Sequence, residues 1–286
     1  MTASAAAATK GRNAGRGTGL LSLFTLGATP SRAVRGGLQV ASLLIPLLAW
    51  AAIASLGLAD EKFLPSPGAV FRSLASMAES GILFQDIVAS TGRVFAGFLL
   101  ATVLAVPIGI CMGVYPAVCA LCEPLIAMLR YMPAAAFIPL LIIYLGIGEE
   151  PKIALIFLGT IYFNILMVMD AVKFVPKELI ETTLTLGGRS RQVLVQVVAR
   201  YSLPSIIDTL RINIATSWNL VVVAELVAAE VGLGKRIQLA QRFFRTDQIF
   251  AELIVLGLIG FAIDMGFRLL LRLRDRKSTR LNSSHQ

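Results

Sequence analysis

Six stretches of this sequence, 38–58, 91–114, 120–147, 153–172, 206–229 and 249–271, run for about 20 residues each with few or no charges. A hydrocarbon core about 30 Å thick is crossed by a helix of ~20 apolar residues, and within it every backbone N–H and C=O must be bonded inside the segment. The runs therefore predict an all-α, polytopic membrane protein with six transmembrane helices. Composition agrees: 56% of the 286 residues are apolar and 15% charged. A soluble domain averages about 45–50% and about 25%, so too few polar residues remain here to cover a water-facing surface. Arg93 lies near the outer end of the second run, Arg130, Pro133 and Pro139 interrupt the third, and Asp208 and Arg211 open the fifth.

The net charge of +9 would suit a nucleic-acid binder in a soluble chain, but position matters more than the sum. Lys10, Arg12, Arg16, Arg32 and Arg35 precede the first run without an acid, and Arg268, Arg272, Arg274, Arg276 and Lys277 crowd the end of the last. Basic residues mark the cytoplasmic side, so both termini are expected there, as six spans require. The loop 173–205, with Lys173, Lys177, Arg189, Arg191 and Arg200, falls on the same side, and the slightly acidic 60–90 falls outside. One segment dissents: 232–248 is expected outside yet carries Lys235, Arg236, Arg242 and Arg245 against Asp247. No nucleic-acid partner is expected; the +9 reads as topology, and membrane lipid is the surrounding solvent.

The first apolar run, 38–58, exceeds the 7–15 residues of a signal-peptide core, which favours an uncleaved span. The expected organisation is a cytoplasmic tail at 1–37, a first membrane helix at 38–62, a core at 63–276 and a polar tail at 277–286.

Imidazole chemistry is excluded from the body of the chain, because His285 is the only histidine. Cys119 and Cys122 form a C-x-x-C spacing, but no βαβ pattern surrounds it and no second pair completes a metal site. Small apolar residues in a helix account for them, and no metal site is expected.

The loop 176–204 is too long for a simple helix connection of about 2–8 residues. Pro176 suits a first helical turn, Glu178 and Glu181 suit its positive end, and Gly187-Gly188 breaks the helix. A second amphipathic helix is expected over 189–201, with Val193, Leu194, Val197 and Val198 on one flank and Val195 off it. Periodicity leaves two readings open: a hairpin lying on the membrane surface, or a rigid knob that docks in a partner's groove.

Glu181-Thr182-Thr183-x-x-x-Gly187, continuing to Leu203-Pro204, resembles the E-A-A-x-x-x-G loop of the membrane subunits of binding-protein-dependent ABC importers. Leu64-Pro65-Ser66-Pro67, Ser90-x-x-Arg93-x-x-x-Gly97-Phe98, Pro139-Leu140 with Gly146-Ile147-Gly148-Glu149, and Ala224-Glu225 followed by Gly232-Leu233-Gly234 look like the nitrate/sulfonate/taurine branch. The resemblance covers 63–276. Thr182 and Thr183 depart from the paired alanines, and Ala199-Arg200 stands where many relatives have Leu-Pro. It implies a bacterial inner-membrane permease that moves a small anion such as nitrate, a sulfonate or taurine into the cytoplasm. Glu181, Thr182, Thr183, Gly187, Gly188, Leu203 and Pro204 would then couple to a dimer of ATPase subunits. A second permease copy and a periplasmic solute-binding protein complete the implied partners. No G-x-x-x-x-G-K-[ST] occurs in the chain, so ATP and magnesium are expected on the ATPase partner, with no cofactor and no catalysis here.

Candidates for a translocation path are Arg130, Pro133 and Pro139 in the third run and Asn213, Thr216, Asn219 and Glu225 in the fifth. Ionisable residues inside a span usually face a cavity or the bundle interior, and prolines free carbonyls only where protein or water meets them. Glu123 and Arg130 lie about two helical turns apart and could pair through neighbours. Asn213, Thr216 and Asn219 fall within an arc of about 120°, a polar stripe that suits either a path or bonding to a neighbouring helix. Asp264 stands isolated in the sixth run. The alternative class is an ion-coupled secondary transporter, which would use paired intramembrane carboxylates; Glu225, Glu230 and Asp264 are the residues that suit it.

Overall fold

The computed structural model describes residues 31–283. Every regular element among them is helical. The expected basic and Ala-rich stretch 1–30 and the last residues 284–286, His285 included, lie outside the described residues. Five helical segments are long and apolar enough to cross a membrane: Arg32–Ser55, Ile82–Val114, Glu150–Lys173, Ser190–Val227 and Thr246–Leu269. A sixth candidate, Pro116–Leu129 with Ala134–Leu145, is bent by 81°.

Helix α1, Arg32–Ser55, forms a unit of its own that ends at Leu58. It starts earlier than the expected 38 because Ser31 caps it, the hydroxyl accepting from the Val34 N–H. Arg32 and Arg35 are thus inside the helix and not in a tail.

The second unit begins at Ala59. Helix α2, Pro67–Glu79, is short and opens on Ser66, whose hydroxyl accepts from the Ala69 N–H at 3.2 Å, with Pro67 in the first turn. Gly81, at φ +74°, turns the chain into α3, Ile82–Val114. At 33 residues α3 is about 50 Å long and begins well before the expected 91. Its extra turns carry Asp86 and Ser90, both fully buried, so charge pairing and not apolarity holds them in place. Next come α4, Pro116–Leu129, a tight turn at Ala134–Phe137 and α5, Ile138–Leu145, then α6, Glu150–Lys173.

α3 and α6 pack in parallel. Gly97 lies against Ile156, Gly109 against Ile165 and Val168, and Gly113 against Val172, so both numbers rise together. A parallel pair requires the intervening chain to return the full length of the bundle. The bent α4–α5 pair therefore acts as one crossing, broken where Pro133 starts the tight turn and Pro139 enters α5. The contact is a ladder of small residues, Gly97, Ala101, Ala105, Gly109 and Gly113, spaced by four, and both alanines are fully buried.

Helix α7 is Lys177–Thr185. The next helix does not stop at the expected 201: a turn at Ser190–Gln192 (α8), a π-helical stretch Val193–Val198 and α9, Ala199–Ala228, continue without a break. The expected hairpin is thus one separate helix, packed through Ile180 on the cluster that contains Val193 and Val198, followed by a helix fused to the span. α9 runs antiparallel to α6, with Ile206 beside Val172 and Asn213 beside Asn164. Helix α10, Leu233–Arg242, leads to α11, Thr246–Ser283, which packs antiparallel to α9 through Trp218 Nε1 donating to the Leu256 carbonyl at 2.9 Å. The backbone of α11 stays helical past the expected end at 271. Loop 176–204 and the end of α11 consequently lie at one end of the bundle, with α2, α10 and the start of α6 at the other.

Candidate functional sites at the two ends of the bundle

At one end, α7 is closed by a paired-bond C-terminal cap. The Gly187 N–H donates to Leu184 and the Gly188 N–H to Thr183 at 2.9 Å, while Gly187 takes φ +86°. A Cβ on Gly188 would sit 2.7 Å from the Thr183 carbonyl oxygen. Both glycines are therefore dictated by the backbone. Glu178, Glu181, Thr182, Thr185 and Leu186 line an open concavity of about 340 Å³. Of the threonines in the alanine positions, Thr183 turns its hydroxyl back into the helix, donating to the Leu179 carbonyl at 2.7 Å. Leu203 and Pro204 stand elsewhere, inside α9 and exposed.

At the other end, a buried charge network joins four helices. Arg93 is 5% exposed. Its Nη1 donates to Glu225 Oε1 at 2.6 Å and to the Val231 carbonyl at 2.7 Å, and its Nη2 donates to Glu149 Oε1 at 2.7 Å. Glu225 also accepts from the Ser90 hydroxyl and the Gly234 N–H. Lys152, also buried, donates to Glu149 Oε1 at 2.8 Å. Glu149 itself is half exposed; its bond to the Arg93 guanidinium, helped by Lys152, holds its carboxyl down at about 2 despite partial burial. Asp86 accepts from the Gly232 N–H and from Arg236 Nε, each at 2.8 Å. Glu252 is fully buried, and neither of its oxygens has a hydrogen-bond partner among the described residues.

This network accounts for one cation of the dissenting basic segment, and a separate surface pair accounts for a second. Arg236 is neutralised by buried Asp86 and Arg245 by Asp247, so half of the four cations in 232–248 carry their own counter-ions.

The proposed path residues separate. Asn213 is buried and donates to Asn164 at 2.8 Å, and Asn164 reaches Thr102 on α3, so this part of the stripe bonds helix to helix. Thr216 is half buried, and Asn219 is exposed beside a cavity of about 360 Å³ shared with Arg211, Trp218 and Asp264. Glu225 is fully buried in the charge network and faces no open space. Arg130 is exposed, stacked on Tyr131 with its guanidinium 4.9 Å from the ring centroid, and makes no pair with Glu123, which accepts from Cys119 Sγ. Nor is Asp264 isolated: it accepts from Arg211 Nη1 and Arg268 Nε, both at 2.7 Å. Sequence reasoning missed Lys152, Asp86 and Glu252. The only signal was an ionisable residue within or beside an apolar run.

An all-α bundle of membrane-length helices, with a capped helix at one end and a buried polar cluster at the other, defines a polytopic α-helical membrane protein. Residues 105–280 match the family described as binding-protein-dependent transport system inner membrane component; the chain belongs to that family. It is 35% identical over 240 residues, covering 82% of this chain and 87% of the relative, to the taurine transport system permease protein TauC of Escherichia coli. A protein of Methanocaldococcus jannaschii described as an ABC transporter permease is 40% identical over 66% of this chain and 71% of its own length. The fold resembles a structure titled inward facing conformations of the MetNI methionine ABC transporter, with TM-score 0.60 and 20% identity over 68% of this chain and 97% of that one. Family membership replaces the ion-coupled alternative with an ABC importer permease.

Proposed function

We propose that this chain is the membrane-spanning subunit of an importer that carries a small anion of the nitrate, sulfonate or taurine kind into the cytoplasm, with ATP hydrolysed by a separate subunit. The observation that carries the reading is α7: a short helix closed by a glycine C-terminal cap and seated through Ile180 on the core cluster, with Glu178, Glu181 and Leu186 around an open concavity, standing beyond the end of the spans. Such a rigid knob suits insertion into a groove of a partner. Its partners in this reading are two ATPase subunits holding ATP and magnesium, a second permease copy and a periplasmic binding protein. Both termini are then cytoplasmic, on the side of α7, and the membrane is a bacterial inner membrane. The taurine system of the E. coli relative supports the substrate class.

Tagged full-length protein is expected to bring down an ATPase subunit from its native membrane. Glu181→Arg combined with Gly187→Pro should abolish this and cut uptake at least tenfold, because proline cannot take φ +86°. Retention of both capture and uptake in the double variant sinks the reading.

A further inference from the structure

A cavity of about 260 Å³ opens beside the charge network, lined by Arg93, Ile147, Gly148, Glu149, Lys152, Glu230 and Val231. Two of its walls are buried cations, Arg93 and Lys152, each 5% exposed. Both meet at one group, the Glu149 carboxylate: Arg93 Nε and Nη2 form a fork on its two oxygens, and Lys152 Nζ shares Oε1. A fork of parallel N–H donors plus an ammonium is the donor set that recognises a carboxylate or a sulfonate head.

Three features set Glu149 apart from an ordinary structural partner. Its side chain is 54% exposed, whereas Glu225, on the other side of the same guanidinium, is fully buried. It is the N-cap residue of α6, its carbonyl held by the Ile153 N–H at 3.0 Å, so the exposed side chain can leave the cations by rotating about its own χ angles while the backbone stays in place. Finally, Arg93 does not depend on it: Glu225 and the Val231 carbonyl hold Nη1 from the opposite side. If Glu149 swings out, Arg93 stays in place with Nε and Nη2 free, and the Lys152 ammonium loses its counter-ion. Arg93 and Lys152 then stand against Glu225 alone, and the deficit is one negative charge.

We propose that Arg93 and Lys152 form a binding site for a small monoanionic oxoacid, a sulfonate or carboxylate, and that Glu149 is a built-in placeholder which the ligand displaces. Two oxygens of the ligand take the fork on Arg93, and one is shared with Lys152. Glu230, on the rim of the same cavity, disfavours a dianion. This deepens the importer reading by giving the substrate class a location on the face opposite α7.

The test measures binding of ethanesulfonate to the full-length chain in lipid nanodiscs, without any ATPase subunit, by calorimetry. In the wild type Glu149 competes intramolecularly, and binding is weak. Glu149→Gln keeps the shape but removes the competing charge, and Glu149→Ala removes the side chain. Each is expected to raise affinity at least tenfold, and adding Lys152→Met to the Glu149→Gln variant should return it to wild-type strength or below. Sulfate should bind these variants at least tenfold more weakly than ethanesulfonate. Folded Glu149→Gln and Glu149→Ala proteins that bind no tighter than wild type, or binding indifferent to Lys152→Met, overturn the proposal. Capture of an ATPase subunit tests the importer reading separately, so the two can fail independently.

Discussion

Arg93→Met is expected to yield little folded protein, with a melting temperature in detergent far below that of the parent chain. The substitution leaves Glu225, fully buried, without its counter-ion, takes the fork from Glu149 and removes the side-chain donor to the Val231 carbonyl. Removing one member of a buried ion pair costs about 3–5 kcal/mol, a large share of the roughly 5–15 kcal/mol that a folded domain holds. Lysine does not substitute well, since its three N–H donors radiate from one nitrogen and cannot fork both Glu149 oxygens while also reaching Glu225 and the Val231 carbonyl. Adding Glu225→Gln to Arg93→Met should recover part of the loss, because the uncompensated charge disappears with it. Thermal unfolding of the purified variants checks this: an Arg93→Met protein that melts within about 2 °C of the parent would mean a loss of no more than ~1 kcal/mol and sink the account.

Gly109→Leu should separate α3 from α6. A Cβ at position 109 would lie 2.7 Å from the Ile165 carbonyl oxygen and 2.7 Å from Val168 Cβ. Neither can retreat, as one is helix backbone and the other is a fully buried, β-branched side chain. Overpacking of this kind costs about 1–3 kcal/mol, and more when backbone is involved, which lowers the melting temperature by about 3–10 °C. Gly92, on the same helix, offers the control, for nothing lies within 4 Å of a Cβ built there. Gly92→Leu should melt like the parent. Equal melting of Gly92→Leu and Gly109→Leu would show that the ladder is not what sets the distance between the helices.

The apolar runs made the membrane class legible because lipid tolerates so few alternatives to a long helix. Their ends were less so. Ser31 and Ser66 cap helices through single hydroxyl contacts that hydropathy does not register, and the first three turns of α3 are kept helical by Asp86, Ser90 and Arg93 meeting partners more than 50 residues away. The break of α7 at Gly187 was legible, since only glycine adopts that φ freely. The fusion of 190–198 to α9 was not: Pro204 suggests a stop, yet its missing N–H falls on an exposed helix face that tolerates the loss. Among the site residues, the polar stripe of α9 could not be apportioned from spacing, because the direction of Asn213 depends on Asn164 in another helix.

The small-residue ladder between α3 and α6 also limits the degrees of freedom of the molecule. With carbonyl oxygens and β-carbons of α6 already pressed against glycines of α3, the two helices can neither slide by a fraction of a turn nor roll against each other without collision. They form a single strut, about 36 Å long on the α6 side, with α7 attached at one tip and the Arg93 cluster at the other. A displacement applied to the α6 end of this strut therefore moves the Arg93 end with it, because neither helix can yield against the other along the ladder.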